Sequence, residues 1–369
     1  MNAAYTLHLC MHRFLLDGIK RDRLPWGGDL AVSLLANAYS MGQADIIRAT
    51  LRVLTLMQPH HGDVNGITDY TLWTLINHDI YQKYFGDPEF LQSQYPVIYA
   101  MTESLLGRRN KQGFLSRNIS WLFIDWVPQK SSSALQVLFY WSLKSAAALA
   151  KRMKRYEDMA RWDAAAERVA LYLHEKLWDP QKGLFRISAE QPEKAEYSKH
   201  ANILAVCSGL AGIEEAIAIV KNLKADTLPP VGTPYMSAFE AMACGAAGQT
   251  PCFDRVIETI WGGMLDLGAS SFWEAFDPAE KDREHLVFYD RPFGRSLGHA
   301  WGAGPVFLYP MIQLGIRPLS DGWRRFTVKP IPGVTDALCT VPTPYGQIRV
   351  TLIAGELTVE APDGCELAE

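Results

Sequence analysis

SSALQVLFYWSLKSAAALAKRM occupies residues 132–153, and YEDMARWDAAAERVALYLHEKLW follows at 156–178. From Ser132 to Leu149 the first segment is nearly apolar throughout, as in a helix buried on all sides. The second alternates charged and apolar faces at helical spacing, as in a helix with one side in water. Only Lys154 and Arg155 separate them, so a tight turn must join antiparallel neighbours. An inner helix is thus paired with an outer one. The pair ends at DPQKG, a turn of Pro and Gly chemistry.

Working outward, the same unit recurs without a repeated sequence. Helices are predicted over Asp29–Ala38 and Gln43–Gln58, then Asp69–Phe85 and Pro88–Arg108. Further helices are predicted over Tyr197–Ser208, Ile213–Leu223, Thr233–Ala246, Pro251–Leu267 and Ser296–Leu314. An opening helix over Ala3–Leu16 brings the total to twelve, enough for six hairpins to close a ring. The predicted fold is mainly α, an (α/α)6 barrel, with an open helical solenoid as the all-α alternative. After Arg317 the pattern changes. FTVKPIP, ALCTVPTPYG, QIRVTLIAG and ELTVEAP are β-branched and separated by Pro or Gly, and predict about four or five strands. The chain therefore divides into a barrel over residues 1–318 and a small C-terminal β-sandwich-like region over 319–369. So small a β region cannot bury its own core and should pack on the barrel or belong to a sandwich.

Composition excludes several function classes. The net charge of −4 comes from well-mixed acids and bases, which leaves no footprint for nucleic acid or an anionic membrane. The opening MNAAYTLHLCMHRFLL lacks a basic segment followed by a long apolar core, so no signal peptide is expected and a cytoplasmic location is. No window of eighteen apolar residues predicts a membrane span. The six Cys are widely and irregularly spaced, so most are expected as buried thiols; Cys244 and Cys252 could meet across a turn. No Walker A, nucleotide-binding glycine fingerprint, serine elbow or HExxH occurs, so no metal and no cofactor are expected. The 11 Trp are more telling, because many sit beside Asp, Gly or Pro: LPWGGD, FIDWVP, SFWEAF, GHAWGAG. Rings in polar loops suggest an aromatic-lined binding surface, although loop Trp also plugs the ends of helical bundles.

The richest polar segment is DGIKRDRLPWGGD, residues 17–29. It interleaves Asp17, Asp22 and Asp29 with Lys20, Arg21 and Arg23 around Trp26. In a bland reading Asp29 N-caps the next helix and Asp17 pairs with Arg21. In a functional reading one Asp is a general acid and the others bind sugar hydroxyls. Glu274, between Trp273 and Phe276, is the second candidate carboxylate: partly desolvated, or simply a buried Glu satisfied by an Arg. Two carboxyl groups facing one cleft are what glycosidic cleavage needs. His299 and Trp301 open the last predicted helix, as a hydroxyl contact or as packing. Trp73, Trp121, Asp125 and Trp126 are candidates for the pocket wall; Trp73 could equally be core.

DGIKRDRLPWGGD, SSFWEAFD, SLGHAWGAGPVFLYPMIQLGI and GWRRFTVKPIPG, in that order, resemble the bacterial α-L-rhamnosidases of glycoside hydrolase family 78. The resemblance covers about residues 3 to 335. It implies an (α/α)6 barrel flanked by β domains, and an inverting hydrolase that removes terminal α-L-rhamnose from glycosides or oligosaccharides. It further implies Asp22 as general acid and Glu274 as the base that activates water. Asp17, Arg21 and Asp29 are implied as ligands of the rhamnose hydroxyls. Trp26, Trp73 and Trp126 are implied as aromatic lining and His299 as a further hydroxyl contact. Trp121, Asp125, Trp273 and Trp301 are weaker candidates. Two departures stand out. Many family members carry Glu where this chain has Asp22, whose side chain is shorter by about 1.5 Å. The β domains that usually precede the barrel have no counterpart in this sequence, as in a fragment or a minimal member. The rival readings are an α/α-barrel glycosidase with a different glycone, and a non-catalytic carbohydrate-binding protein.

Overall fold

A computed structural model of the chain describes residues 1–20, 22–56, 62–115, 121–127, 132–188, 196–223 and 228–368. In chain order the helices are α1 (Asn2–Cys10), α2 (Asp29–Ser40), α3 (Ala44–Leu56), α4 (Thr68–Phe85), α5 (Pro88–Gly107), α6 (Ser132–Arg152) and α7 (Tyr156–Tyr172). There follow α8 (Lys199–Cys207), α9 (Ile213–Leu223), α10 (Pro234–Ala246), α11 (Thr250–Ile257), α12 (Gly263–Asp266) and α13 (Pro305–Leu308).

Burial separates them into two layers. Helices α2, α4, α6, α8 and α10 bury most of their residues. Helices α3, α7, α9 and α11 bury one stripe each. On α7 the stripe is Trp162, Ala165, Ala166 and Val169, at i, i+3, i+4 and i+7, the spacing of a helix face. Each inner helix packs on the next: α2 on α4, α4 on α6, α6 on α8, α8 on α10, α10 on α13 and α13 back on α2. The ring is closed, so the fold is the expected α/α barrel and not an open solenoid.

The ends of the sequence depart from expectation. The opening helix stops at Cys10, not Leu16, because Met11 is extended. That frees residues 11–28 to cross the end of the ring. The last predicted helix starts late: Ser296–His299 are not helical, and a 3-10 turn over Ala300–Ala303 leads into α13. Glycine explains the tight entry. A Cβ at Gly302 would meet Phe272, and one at Gly304 would meet Trp261.

The strands are β1 (Trp178–Asp179), β2 (Leu184–Phe185), β3 (Arg317–Pro318), β4 (Arg325–Thr327), β5 (Ala337–Thr343), β6 (Gly346–Ile353), β7 (Glu356–Glu360) and β8 (Glu366–Leu367). They form a β1–β2 ribbon, a β3-β4-β8 sheet and an antiparallel β5-β6-β7 sheet. The two-residue β3 and β8 are too short for β-propensity to mark, which is why six strands follow Ile316 where four or five were expected. The β region leans on the barrel: Val341, Ile348 and Val350 join its apolar core. Trp323 lies 5.7 Å from both Tyr39 of α2 and Tyr84 of α4, and the Tyr39 hydroxyl donates to Ile316 O at 2.8 Å. Arg152 of α6 donates to both Asp321 oxygens (2.6 and 2.8 Å) and to Asp79 (2.6 Å). Cys244 and Cys252 are disulfide-paired across the α10–α11 turn; Cys10, Cys207, Cys339 and Cys365 are free thiols. Among the described residues no helix is long and apolar enough to cross a membrane.

Candidate active site

A cavity opens where the inner helices begin. Asp29 is the first residue of α2, Tyr70 lies in the first turn of α4, and His299 and Trp301 sit at the entry to α13; all line the cavity. Asp17, Asp22 and Trp26 reach it from the 11–28 crossing, Trp121, Phe123 and Trp126 from the loop before α6, and Glu274 and Tyr289 from the long segment after α12.

The crossing segment is tied down at both ends. The Asp17 N–H donates to Leu24 O and the Leu24 N–H donates back to Asp17 Oδ1, both at 3.0 Å. The Ala300 N–H donates to Asp17 O at 2.6 Å, and the Ile19 N–H donates to Gly298 O at 3.2 Å. Within this closed loop Asp22 and Arg23 take left-handed backbone conformations, φ 55° and 53°. Two consecutive non-glycine residues there are strained, and only a surrounding that over-determines the loop retains them. Asp22 is exposed at the cavity wall; Arg21 lies outside the described residues.

Asp17 and Asp29 are each only 6% exposed, deep in the cavity. Burial pushes the Asp17 carboxyl up to about 7, against donation from the Leu24 and Gly18 N–H groups, and Asp22 adds to the rise. Burial likewise drives Asp29 well above the carboxylate range; Asp17 and Glu274 add to it, and the Tyr70 hydroxyl opposes it. Asp29 does not cap α2, since Gly28 holds the N-cap position. Its carboxylate instead accepts the Tyr70 hydroxyl at 3.1 Å and stands 3.8 Å from His299 Nε2. Glu274 is 3% exposed. Its Oε2 accepts the Ser296 N–H at 3.2 Å, and its backbone carbonyl accepts Trp301 Nε1 at 2.9 Å. The His299 ring lies 4.1 Å from the Trp301 ring, which lies nearly parallel to Phe123 at 6.2 Å.

The loop before α6 is held by two buried carboxylates. Asp69 accepts the N–H groups of Phe123 (2.8 Å) and Ile124 (2.9 Å). Ile124 is β-branched with φ 54°, a costly conformation that these bonds fix. Asp125 accepts from the Trp126 N–H, Thr233 Oγ1, the Gly232 N–H and His200 Nε2, at 2.7–2.9 Å. The result is that Phe123 and Trp126 face the cavity.

Three candidate site residues lie elsewhere. Trp73 is fully buried, 5.0 Å from Phe239 and 5.4 Å from Trp141. It sits one turn below Tyr70, about 5 Å deeper along the barrel axis, and so belongs to the core beneath the cavity. Asp125 is fully buried and spends its oxygens on the loop. Trp273 packs against Phe276 and His285 and lines a different cavity, because neighbours in an extended segment point to opposite sides. Trp121 does line the candidate site. Ile67, Tyr70, Phe123 and Tyr289 line it without having been singled out. The criterion that picked Trp126, a ring beside Asp in a polar segment, also fits Tyr289 beside Asp290 and Tyr70 beside Asp69. The long loop over 179–196 contributes no described residue to the wall.

The family model described as the bacterial alpha-L-rhamnosidase 6 hairpin glycosidase domain matches residues 1–309, and that of the bacterial alpha-L-rhamnosidase C-terminal domain matches residues 315–364. Among solved structures, the family 78 rhamnosidase of Bacillus sp. GL1 is similar with a TM-score of 0.86 and 24% identity, over 99% of this chain and 40% of that one. A rhamnosidase from Klebsiella oxytoca with rhamnose bound has a TM-score of 0.74 and 27% identity, over 85% of this chain and 63% of that one. The Streptomyces avermitilis α-L-rhamnosidase complexed with L-rhamnose has a TM-score of 0.80 and 19% identity, over 99% of this chain and 36% of that one. The chain thus spans less than two thirds of the length of each. No curated protein sequence matches it significantly. Matched by the family's barrel domain over most of its length and by its C-terminal domain over most of the rest, the chain belongs to the bacterial α-L-rhamnosidases.

Proposed function

We propose that the chain is a glycoside hydrolase that releases terminal α-L-rhamnose from glycosides or oligosaccharides by a single displacement. The observation that carries this is one cavity lined by Asp22 and Glu274, from opposite ends of the barrel sequence, together with Asp17, Asp29, His299 and a set of rings. In the proposed reaction Asp22 protonates the departing glycosidic oxygen. The Glu274 carboxylate takes a proton from water, and that water attacks the anomeric carbon from the opposite face. The two carboxyl groups must then stand roughly 6.5–9.5 Å apart to admit the water. Asp17, Asp29 and His299, all buried, are the proposed partners of the sugar hydroxyls, joined by Arg21. Trp26, Trp126 and Trp301 are the proposed apolar lining.

Exposure supports this division of labour. Asp22 is exposed, where a leaving group departs, while Glu274 is enclosed and oriented by the Ser296 N–H. The test is hydrolysis of an aryl α-L-rhamnoside beside a panel of other aryl glycosides. Release from the rhamnoside in preference to the panel is expected. Cleavage of a different glycone would favour the broader α/α-barrel reading, and rhamnose binding without cleavage of any would make the protein a carbohydrate binder.

A further inference from the structure

The rings of the cavity divide by depth. Tyr70, Phe123 and Trp301 are buried, alongside Asp17, Asp29, Glu274 and His299. Trp121 and Tyr289 also line the cavity, yet they are 53% and 50% exposed, which puts them at its mouth. They flank Trp126. The Trp121 ring lies 6.3 Å from it at 45°, and the Tyr289 ring 5.5 Å from it at 87°. One wall of the mouth is therefore a continuous run of three rings.

The segment that carries Tyr289 is built to hold that position. Phe288 and Arg291 exchange backbone hydrogen bonds (3.2 and 3.0 Å) around Tyr289 and Asp290, both left-handed at φ 51° and 55°. Strained non-glycine residues persist where the surroundings over-determine them. Here the Arg295 guanidinium lies 5.8 Å over the Phe288 ring and is anchored bidentately on Glu280. Lys20 Nζ donates to Phe293 O and to Arg295 O, which pins the segment to the 11–28 crossing. Large half-exposed rings in a concave wall mark a surface that a ligand covers.

Resting on the rhamnosidase reading, we propose that Trp121 and Tyr289 form the leaving-group subsite, and that it takes a flat, apolar ring attached to the glycosidic oxygen. The sugar must reach the buried carboxyl groups, so whatever it is linked to stays at the mouth. There an aryl group meets ring faces and edges, with which it stacks or packs edge-on. A saccharide leaving group would meet the same rings only through its C–H faces, with most of its hydroxyls turned to water at the open mouth.

The test compares kcat/KM for para-nitrophenyl α-L-rhamnoside, methyl α-L-rhamnoside and a rhamnosyl-glucose disaccharide in the unaltered protein, Trp121→Ala, Tyr289→Ala and Tyr289→Phe. Dividing each variant's value by that of the unaltered protein removes the intrinsic reactivity of the substrate. The aryl-to-methyl ratio is expected to fall roughly five- to tenfold in each alanine variant, chiefly through KM, and to recover in Tyr289→Phe. The disaccharide-to-methyl ratio is expected to move less than the aryl ratio. An aryl-to-methyl ratio unchanged within twofold overturns the proposal, as does an equal or larger loss for the disaccharide. Hydrolysis of none of the three by the unaltered protein removes the rhamnosidase reading, and the subsite with it.

Discussion

At the scale of residues, the cavity gathers carboxyl groups that oppose one another's ionisation. Asp22 raises Asp17, and Asp17 and Glu274 raise Asp29, on top of the burial that dominates both shifts. Asp17, held near 7, has a folded-state value above its unfolded one. The folded protein therefore keeps that proton more tightly. The stability this gives is complete below about pH 4 and is lost as the pH rises through about 7. Asp17→Asn, which keeps an oxygen for the Leu24 N–H, removes this penalty. It is expected to raise the Tm at pH 8 relative to the unaltered protein, by up to about 4 kcal/mol in stability, and to change little at pH 4. Equal melting shifts at the two pH values would show that the fold does not raise Asp17 above the ordinary carboxylate range. For the chemistry, Asp22→Asn and Glu274→Gln are each expected to slow turnover by roughly 10²–10⁴-fold with the fold intact by circular dichroism. Near-normal rates in either would refute its role. Much of this site was legible in residue types and neighbours: short motifs marked Glu274, His299 and the group Asp17, Asp22 and Asp29, although only the family resemblance singled out Asp22 within that group. Depth was not legible. Tyr70 and Trp73 share a helix, and only the position of the cavity floor between them makes one lining and the other core.

At the scale of elements, the loop before α6 does the positioning. Asp125 joins it to α8 through His200 and to the start of α10 through Gly232 and Thr233. Asp125→Ala leaves buried donors unmatched, His200 among them. It is expected to cost about 3–5 kcal/mol in chemical denaturation and to raise KM for the rhamnoside as Trp126 loosens. Loss of stability with an unchanged KM would mean that Trp126 keeps its place without the carboxylate. Helical periodicity disclosed the hairpins, because a buried stripe such as Trp162–Val169 is written in the local sequence. It did not disclose where α1 stops or where the last helix begins. Those ends are set by contacts with distant segments: His299 N–H donates to Phe272 O and Ala300 N–H to Asp17 O.

At the scale of the molecule, ring closure could be counted from the sequence, whereas the seam to the β region could not. Trp323 between Tyr39 and Tyr84, and Asp321 on Arg152, unite residues that no local pattern pairs. Trp323 is 1% exposed, so Trp323→Ala is expected to cost about 3–5 kcal/mol while the protein still melts in a single transition. Two separated transitions would mean that the β region melts independently of the barrel. The proposed single displacement needs two carboxyl groups acting across one cavity, and the stereochemistry of the product tests that most directly. Proton NMR at the start of aryl α-L-rhamnoside hydrolysis should find β-L-rhamnose first, with the α anomer growing in by mutarotation. If α-L-rhamnose appears first, the anomeric configuration is retained and the roles given to Asp22 and Glu274 are wrong.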